Sequence, residues 1–227
     1  MQNKNFSMQL KSWRLAGVFL LAAVLGQPFA AFADVESDYL SGKDSYIAGD
    51  MVGAIPPLKK AADAGHAKAQ SLLALILDYS EFDEDAVELY RKSAKQGDPD
   101  GMYGYGAMLV SGDGLKEKNV AEGRSWILKA AEQGHLQSIN VIAAARMSGT
   151  LGYGEADRDT PETLHWAQLA AKNNYLPAVD GLANAYRDGG FLGATQDSAL
   201  AEEYQAQANR IRGIDPSKVV KRKKFRR

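Results

Sequence analysis

Three histidines and two glycine clusters are the residues of this chain that could most readily do chemistry. Histidines and carboxylates make a zinc site where they converge. His66 and His135, however, follow the same glycine in two similar phrases, KAADAGH and KAAEQGH. They are equivalent turn positions in separate repeats rather than a metal pair, and His165, beside Trp166, reads as ordinary helix surface. With no cysteine in 227 residues, disulfides, thiolate metal sites and thiol chemistry are excluded. No metal or cofactor is expected. The cluster GMYGYGAM, Gly101 to Met108, lacks the preceding strand that a dinucleotide loop needs, so its glycines read as packing positions. The second cluster, SGTLGYGEADRD, reads as a flexible insertion between helices, and the acidic EFDEDAVE as negative charge for a helix start. There is no SxxK with a companion KTG and no GxSxG elbow, so no catalytic residue is assigned and no enzyme activity is expected.

What must position these residues is a repeat. The phrases KAADAGH, KSAKQGD and KAAEQGH, with the fainter LAAKNNY, close on Gly65, Gly97, Gly134 and Asn174, at intervals of 32, 37 and 40 residues. Such periods mark a helical solenoid. Each marker follows an alanine-rich run, where a left-handed glycine or asparagine stops a helix. Four residues on lie Ala69, Gly101, Ser138 and Ala178; eight on lie Leu73, Tyr105, Ile142 and Leu182; nine on lie Ala74, Gly106, Ala143 and Ala183. Small and large residues alternate on one face, which lets two helices interlock. Leu89, Trp126 and Trp166, eight before the markers, belong to a second helix. The spacing assigns all length variation to the loop between the first and second helix of a pair. Caps are expected at Asp98-Pro99, at Asn119 with Glu122, and at Thr160-Pro161; Pro56 and Pro57 are expected to open the second helix of the first pair. The fold class is all-α, an α–α superhelical solenoid of five helix pairs.

Residues 1–33 read as a signal peptide: Lys4, Lys11 and Arg14, an apolar run from Leu15 to Gly26, then Ala31-Phe32-Ala33. The run is short for a span, which needs roughly 20 apolar residues. Cleavage near Ala33 would start the mature chain at Asp34, in the periplasm or outside the cell. Residues 34–213 carry 17 basic against 27 acidic side chains, net −10, whereas residues 214–227 carry seven against one, net +6. The tail's basic residues, Lys218, Lys221, Arg222, Lys223, Lys224, Arg226 and Arg227, suit an anionic membrane surface or this protein's own acidic body. An exported chain has no nucleic acid as partner. Mutual repulsion in the tail predicts disorder in isolation.

The third unit carries Gly101, Tyr105-Gly106, Gly112-Asp113-Gly114, Ala121, Trp126, Lys129-Ala130-Ala131 and Gly134, and it resembles the Sel1-like repeat, a relative of the tetratricopeptide repeat. The resemblance covers about residues 36–213, with two departures: Arg146 stands where an aromatic is expected, and the second unit has SEFDED in place of a Gly-rich loop. It implies an adaptor or scaffold that binds a protein or peptide, often in a bacterial envelope. Some cysteine-rich members have been linked to β-lactam handling, which makes a hydrolase the enzymatic alternative; those members use disulfides and this chain has none. The other alternative is an envelope factor that docks on an anionic membrane or polymer through its tail. Carried over from tetratricopeptide-like stacks, the groove positions +3, +6, +10 and +13 of each first helix give Lys68, Ser71, Asp78, Tyr103, Asn140, Asp180, Asn184 and Arg187 as binding candidates.

Overall fold

The computed structural model describes residues 34–214; residues 1–33, expected to be a signal peptide, and the segment 215–227 lie outside the described residues. The described residues form α1 (34–47), α2 (Met51–Asp63), α3 (Ala67–Tyr79), α4 (Asp83–Lys95), α5 (Pro99–Ser111), α6 (Val120–Glu132), α7 (Leu136–Ser148), a one-turn α8 (Glu155–Arg158), α9 (Pro161–Lys172), α10 (Leu176–Asp188), a 3-10 turn at Phe191–Gly193 and α11 (Ser198–Ile211). There is no strand among the described residues. Helices α1 and α2, α3 and α4, α5 and α6, α7 and α9, and α10 and α11 make five pairs. Each pair packs on the next, so the core runs the length of the stack as a chain of adjoining clusters.

The markers do what their positions require. Gly65, Gly97 and Gly134 have φ of 90°, 91° and 86°, and Asn174 has 58°. Each sits in a three-residue turn, 64–66, 96–98, 133–135 or 173–175, that reverses the chain into the next pair. The connections within a pair absorb the lengthening: 80–82, 112–119 and 149–160. A Cβ on Gly134 would meet nothing within 4 Å, so the glycine is needed for its backbone angle alone. Gly134→Val should therefore cost about 1–2 kcal/mol, because a β-branched residue resists φ near +90°. Asn174→Gly should be neutral, since Gln207, which reaches the Asn174 side chain, also donates to the Ala171 carbonyl. Melting curves decide both. An unchanged midpoint in the valine variant would remove the capping role.

The small positions are where helices touch. Ala69, Ser138 and Ala178, four after the markers, and Ala74 and Ala143, nine after, are buried. The glycines of GMYGYGAM lie within α5, and a Cβ on Gly101, Gly104 or Gly106 would come within 2.3–2.7 Å of Ser93, Tyr90 or the Gly123 carbonyl. That cluster is packing surface.

Caps follow the sequence with two corrections. Asp98 and Thr160 accept from the N–H groups of Gly101 and Thr163, ahead of helices that open on proline. At Asn119 the side-chain oxygen accepts from Glu122 N at 3.1 Å. Glu122 does not complete a capping box, because the Asn119 N–H already donates to the Leu109 carbonyl at 2.7 Å; its carboxylate meets the Asn119 amide instead. The second correction concerns Pro56 and Pro57, which lie inside α2 rather than opening it. Asp50 starts that helix a turn earlier by accepting from Gly53 N at 2.8 Å. The prolines remove only the donors that would meet the Val52 and Gly53 carbonyls, next to the helix's exposed N-terminal end. Asp83, Glu84 and Asp85 fill the first turn of α4, which has no side-chain cap, and oppose its dipole.

The insertion 149–160 is not loose, contrary to the sequence reading. Tyr153 lies under two guanidinium groups, Arg146 at 4.7 Å and Arg124 at 4.9 Å from its ring centre. Arg124 also donates to the Leu151 carbonyl, and both Thr160 and Thr163 donate to the carbonyl of Asp157. Tyr153 thus supplies from the loop an aromatic partner for Arg146, the residue that departs from the repeat pattern.

Candidate functional site

A groove of about 880 Å³ runs across α1, α3 and α5 and reaches the turn before α7. Its α3 wall is Lys68, Ser71, Leu75 and Asp78, which are +3, +6, +10 and +13 from Gly65. The α5 wall repeats the rule with Asp100, Tyr103 and Ala107, and α1 supplies Tyr39, Lys43 and Tyr46. Tyr79 and Tyr90 complete a set of five tyrosines. Tyr90 comes from α4 and reaches the groove because Gly104 opposite has no side chain.

Of the eight candidates, the groove brings together Lys68, Ser71, Asp78 and Tyr103. The other four lie further along the stack. Asn140 is half-buried, and its side-chain oxygen has no hydrogen-bond partner among the described residues. Asp180 is ion-paired with Arg212. Arg187 donates to Asn184 at 2.8 Å and to Gln205 at 3.2 Å, and it borders a smaller cavity of about 460 Å³ against α11. The seven basic tail residues fall outside the described residues.

Two features of the groove were missed by the sequence reading. The first is the α1 wall, which obeys the same offsets when counted from residue 33; no glycine marks that position. The second is a recurring trio. His66 Nδ1 accepts from Ala69 N at 3.1 Å, its Nε2 lies 3.0 Å from Glu36, and its ring stacks on Tyr39 at 4.5 Å. His135 Nδ1 accepts from Ser138 N at 3.3 Å, its Nε2 lies 3.1 Å from Asp100, and its ring is 5.3 Å from Tyr103. A backbone N–H can only donate, so in each ring Nδ1 is the acceptor and the Nε2 proton faces the carboxylate. Each histidine therefore caps a helix and fixes a groove tyrosine at once. The signal was available: an acid at +3 and an aromatic at +6 of one repeat, then histidine at +1 of the next.

The electrostatics follow from burial and these partners. His135 holds the Asp100 carboxyl below the usual carboxylate range. Burial, then the neighbouring Asp83 and Asp113, pushes Asp78 up. Burial raises Tyr90 and Tyr103. Tyr103 also accepts from Gln137 at 2.8 Å, which orients its hydroxyl across the groove. Rigid aromatic faces with a few fixed charges suit a bound peptide, because tyrosine gives a large contact area for little lost rotamer freedom.

Residues 67–98, 99–135 and 141–175 match the Sel1 repeat model, and the first two are the pairs α3–α4 and α5–α6. The structure is similar to a protective antigen present in uropathogenic Escherichia coli strains displaying an SLR fold, at 26% identity and a TM-score of 0.66, over 80% of this chain and 39% of that one. It is also similar to a Sel1 repeat protein from Oxalobacter formigenes, at 26% identity and a TM-score of 0.61, over 69% of this chain and 45% of the other. The chain thus spans less than half of either relative's length. No curated protein matches it. With three recognised repeats, the helix pairs they predict and solved structures of the same architecture, the chain carries three Sel1 repeats between residues 67 and 175.

Proposed function

We propose that this protein is an exported, non-catalytic scaffold that holds a segment of a partner protein in the tyrosine groove across α1, α3 and α5. Sel1 repeats generally mediate protein–protein interactions, which supports the class of function. The groove supports its place: seven of its lining side chains are tyrosines or charged residues delivered by a single offset rule from three successive repeats. Export rests on the leader pattern in residues 1–33.

The test is crosslinking in intact cells followed by capture from a periplasmic extract. The captured protein should begin at Asp34. Tyr103→Ala and Lys68→Ala should each reduce the crosslinked partner by about tenfold or more, the range of an interface hot spot. Arg187→Ala, which lies at the other cavity, should leave it unchanged. Equal capture by the parent and both groove variants would move the site elsewhere on the stack, and an intact Met1 in the membrane pellet would sink the export reading.

A further inference from the structure

Tyrosines of the groove sit among carboxylates. After burial, the groups that raise Tyr39 are Glu36, Asp100 and Asp98, and those that act on Tyr90 include Asp78 and Asp100. The Asp78 carboxylate has no hydrogen-bond or ion-pair partner among the described residues, and the charges that act on it, from Asp83 and Asp113, are also acidic. Tyrosine faces add the negative side of their quadrupole. Lys43 and Lys68 are the cations of the lining, and Lys68 lies near Asp100. The groove is therefore shaped for a chain that carries positive charge along its length.

The chain supplies such a segment and delivers it on the right side. After α11 the backbone turns at Gly213, with φ of 68°, and Arg212 pairs with Asp180. Asp180 is the +6 residue of its repeat, and Asn140, Tyr103 and Ser71 are the +6 residues of the three before it. The chain thus leaves the last repeat on the row that leads into the groove. Neighbouring helices lie about 8–10 Å apart, so the two repeats from α10 to α5 cover roughly 20 Å. The 13 residues 215–227 reach about 45 Å when extended.

We propose that the basic segment Lys218–Arg227 folds back along its own chain and lays its lysines and arginines against the tyrosines and carboxylates of the groove, so that a partner must displace it. The proposal rests on the groove being the partner site. Seven cations facing Asp78 and Asp100 gain from a body that is net −10 over residues 34–213. Val219, Val220 and Phe225 match the exposed apolar rim at Ile47 and Tyr79.

The test places a photoreactive side chain in the full protein, Phe225→benzoylphenylalanine. Irradiation should give a product of monomer mass, crosslinked within α3 or α5. In a second arm, a labelled peptide of residues 217–227 should bind the protein ended after Pro216 about tenfold more tightly than it binds the full chain. Raised salt should weaken that binding. Asp78→Asn with Asp100→Asn, which keeps side-chain size, should weaken it by about tenfold. Products of dimer mass, equal peptide affinity for both chain lengths, or indifference to the paired asparagines would each overturn the proposal. So would segment-dependent capture by phosphatidylglycerol vesicles with no crosslink to the groove, which would place the segment on a membrane. Loss of partner capture in Tyr103→Ala with no such crosslink would remove the self-docking and keep the groove as the partner site.

Discussion

Gly123→Val is expected to lower the unfolding free energy by about 3 kcal/mol or more, toward the upper end of what overpacking costs. Gly123 lies on α6, where the backbone of that helix rests against α5. A Cβ there would fall 2.6 Å from the Gly106 carbonyl oxygen, 2.7 Å from Val110 Cγ2 and 3.1 Å from Leu109 Cβ. The contact is mutual, since a Cβ on Gly106 would meet the Gly123 carbonyl at 2.7 Å. Carbonyl oxygens within a helix cannot step aside as a side-chain end can, so the two helices must move apart. Gly123→Ala separates the opposing effects. It gains roughly 0.5–1 kcal/mol from helix propensity and loses about 1–3 kcal/mol to the clash, so it should still destabilise, by less than valine. Urea denaturation of both variants measures the difference. A valine variant with the parent's midpoint would mean that α5 and α6 are not in backbone contact. Because stability in a stack is carried by nearest-neighbour interfaces, the loss should also loosen the groove, whose α5 wall is the other side of this contact.

The Gly123 contact shows where the sequence was legible and where the reading stopped short. The forward offsets +4, +8 and +9 were enough to place the helix faces, because every repeat uses them for one purpose. The same counting carried further back finds Ala54, Ala86, Gly123 and Thr163 eleven residues before the four markers, all small and all buried. No aromatic marks that row, so it is less visible than the tryptophan row. The groove behaves likewise. Lys68, Ser71, Asp78 and Tyr103 were reached by offset, whereas Tyr39, Lys43 and Tyr46 were not, because Ala33 gives the first repeat no glycine from which to count. The loop 149–160 was misread for a different reason. Its glycines advertise freedom, and its order comes from Arg124 and Arg146, 27 or fewer residues away on two other helices. A pattern confined to the loop cannot report a partner outside it. Pro56 and Pro57 were misplaced because proline is over-represented at the first position of a helix, and nothing about the pair itself says that Asp50 has already opened this one.

Arg146 carries the second large expected effect: Arg146→Ala should cost about 3 kcal/mol. The side chain is 5% exposed, which is unusual for an arginine, and three contacts explain how it tolerates that burial. Nε donates to Thr163 Oγ1 at 3.0 Å, Nη2 donates to Glu162 Oε2 at 2.7 Å, and the guanidinium plane covers Tyr153. Glu162 is 58% exposed at its side chain, so water screens that pair and it contributes no more than about 1 kcal/mol. The contact with Tyr153 adds roughly 0.5–2 kcal/mol. The remainder comes from the buried stem, whose removal leaves a cavity between α7 and α9. Arg146→Met keeps most of that volume and loses only the charge and its donors, so it should cost about half as much as alanine. Tyr153→Ala should destabilise by about 1–2 kcal/mol and should open the loop 149–160 to protease. A double-mutant cycle between Arg146→Met and Tyr153→Ala then isolates the stacking, with an expected coupling of about 0.5–2 kcal/mol. Zero coupling, or a loop as resistant to protease in Tyr153→Ala as in the parent, would mean that the arginine and the tyrosine are neighbours without holding each other. In that case the departure of Arg146 from the repeat pattern would serve only the α7–α9 interface, through Thr163 and Glu162, and the order of the loop would rest on the Asp157 carbonyl and its two threonine donors.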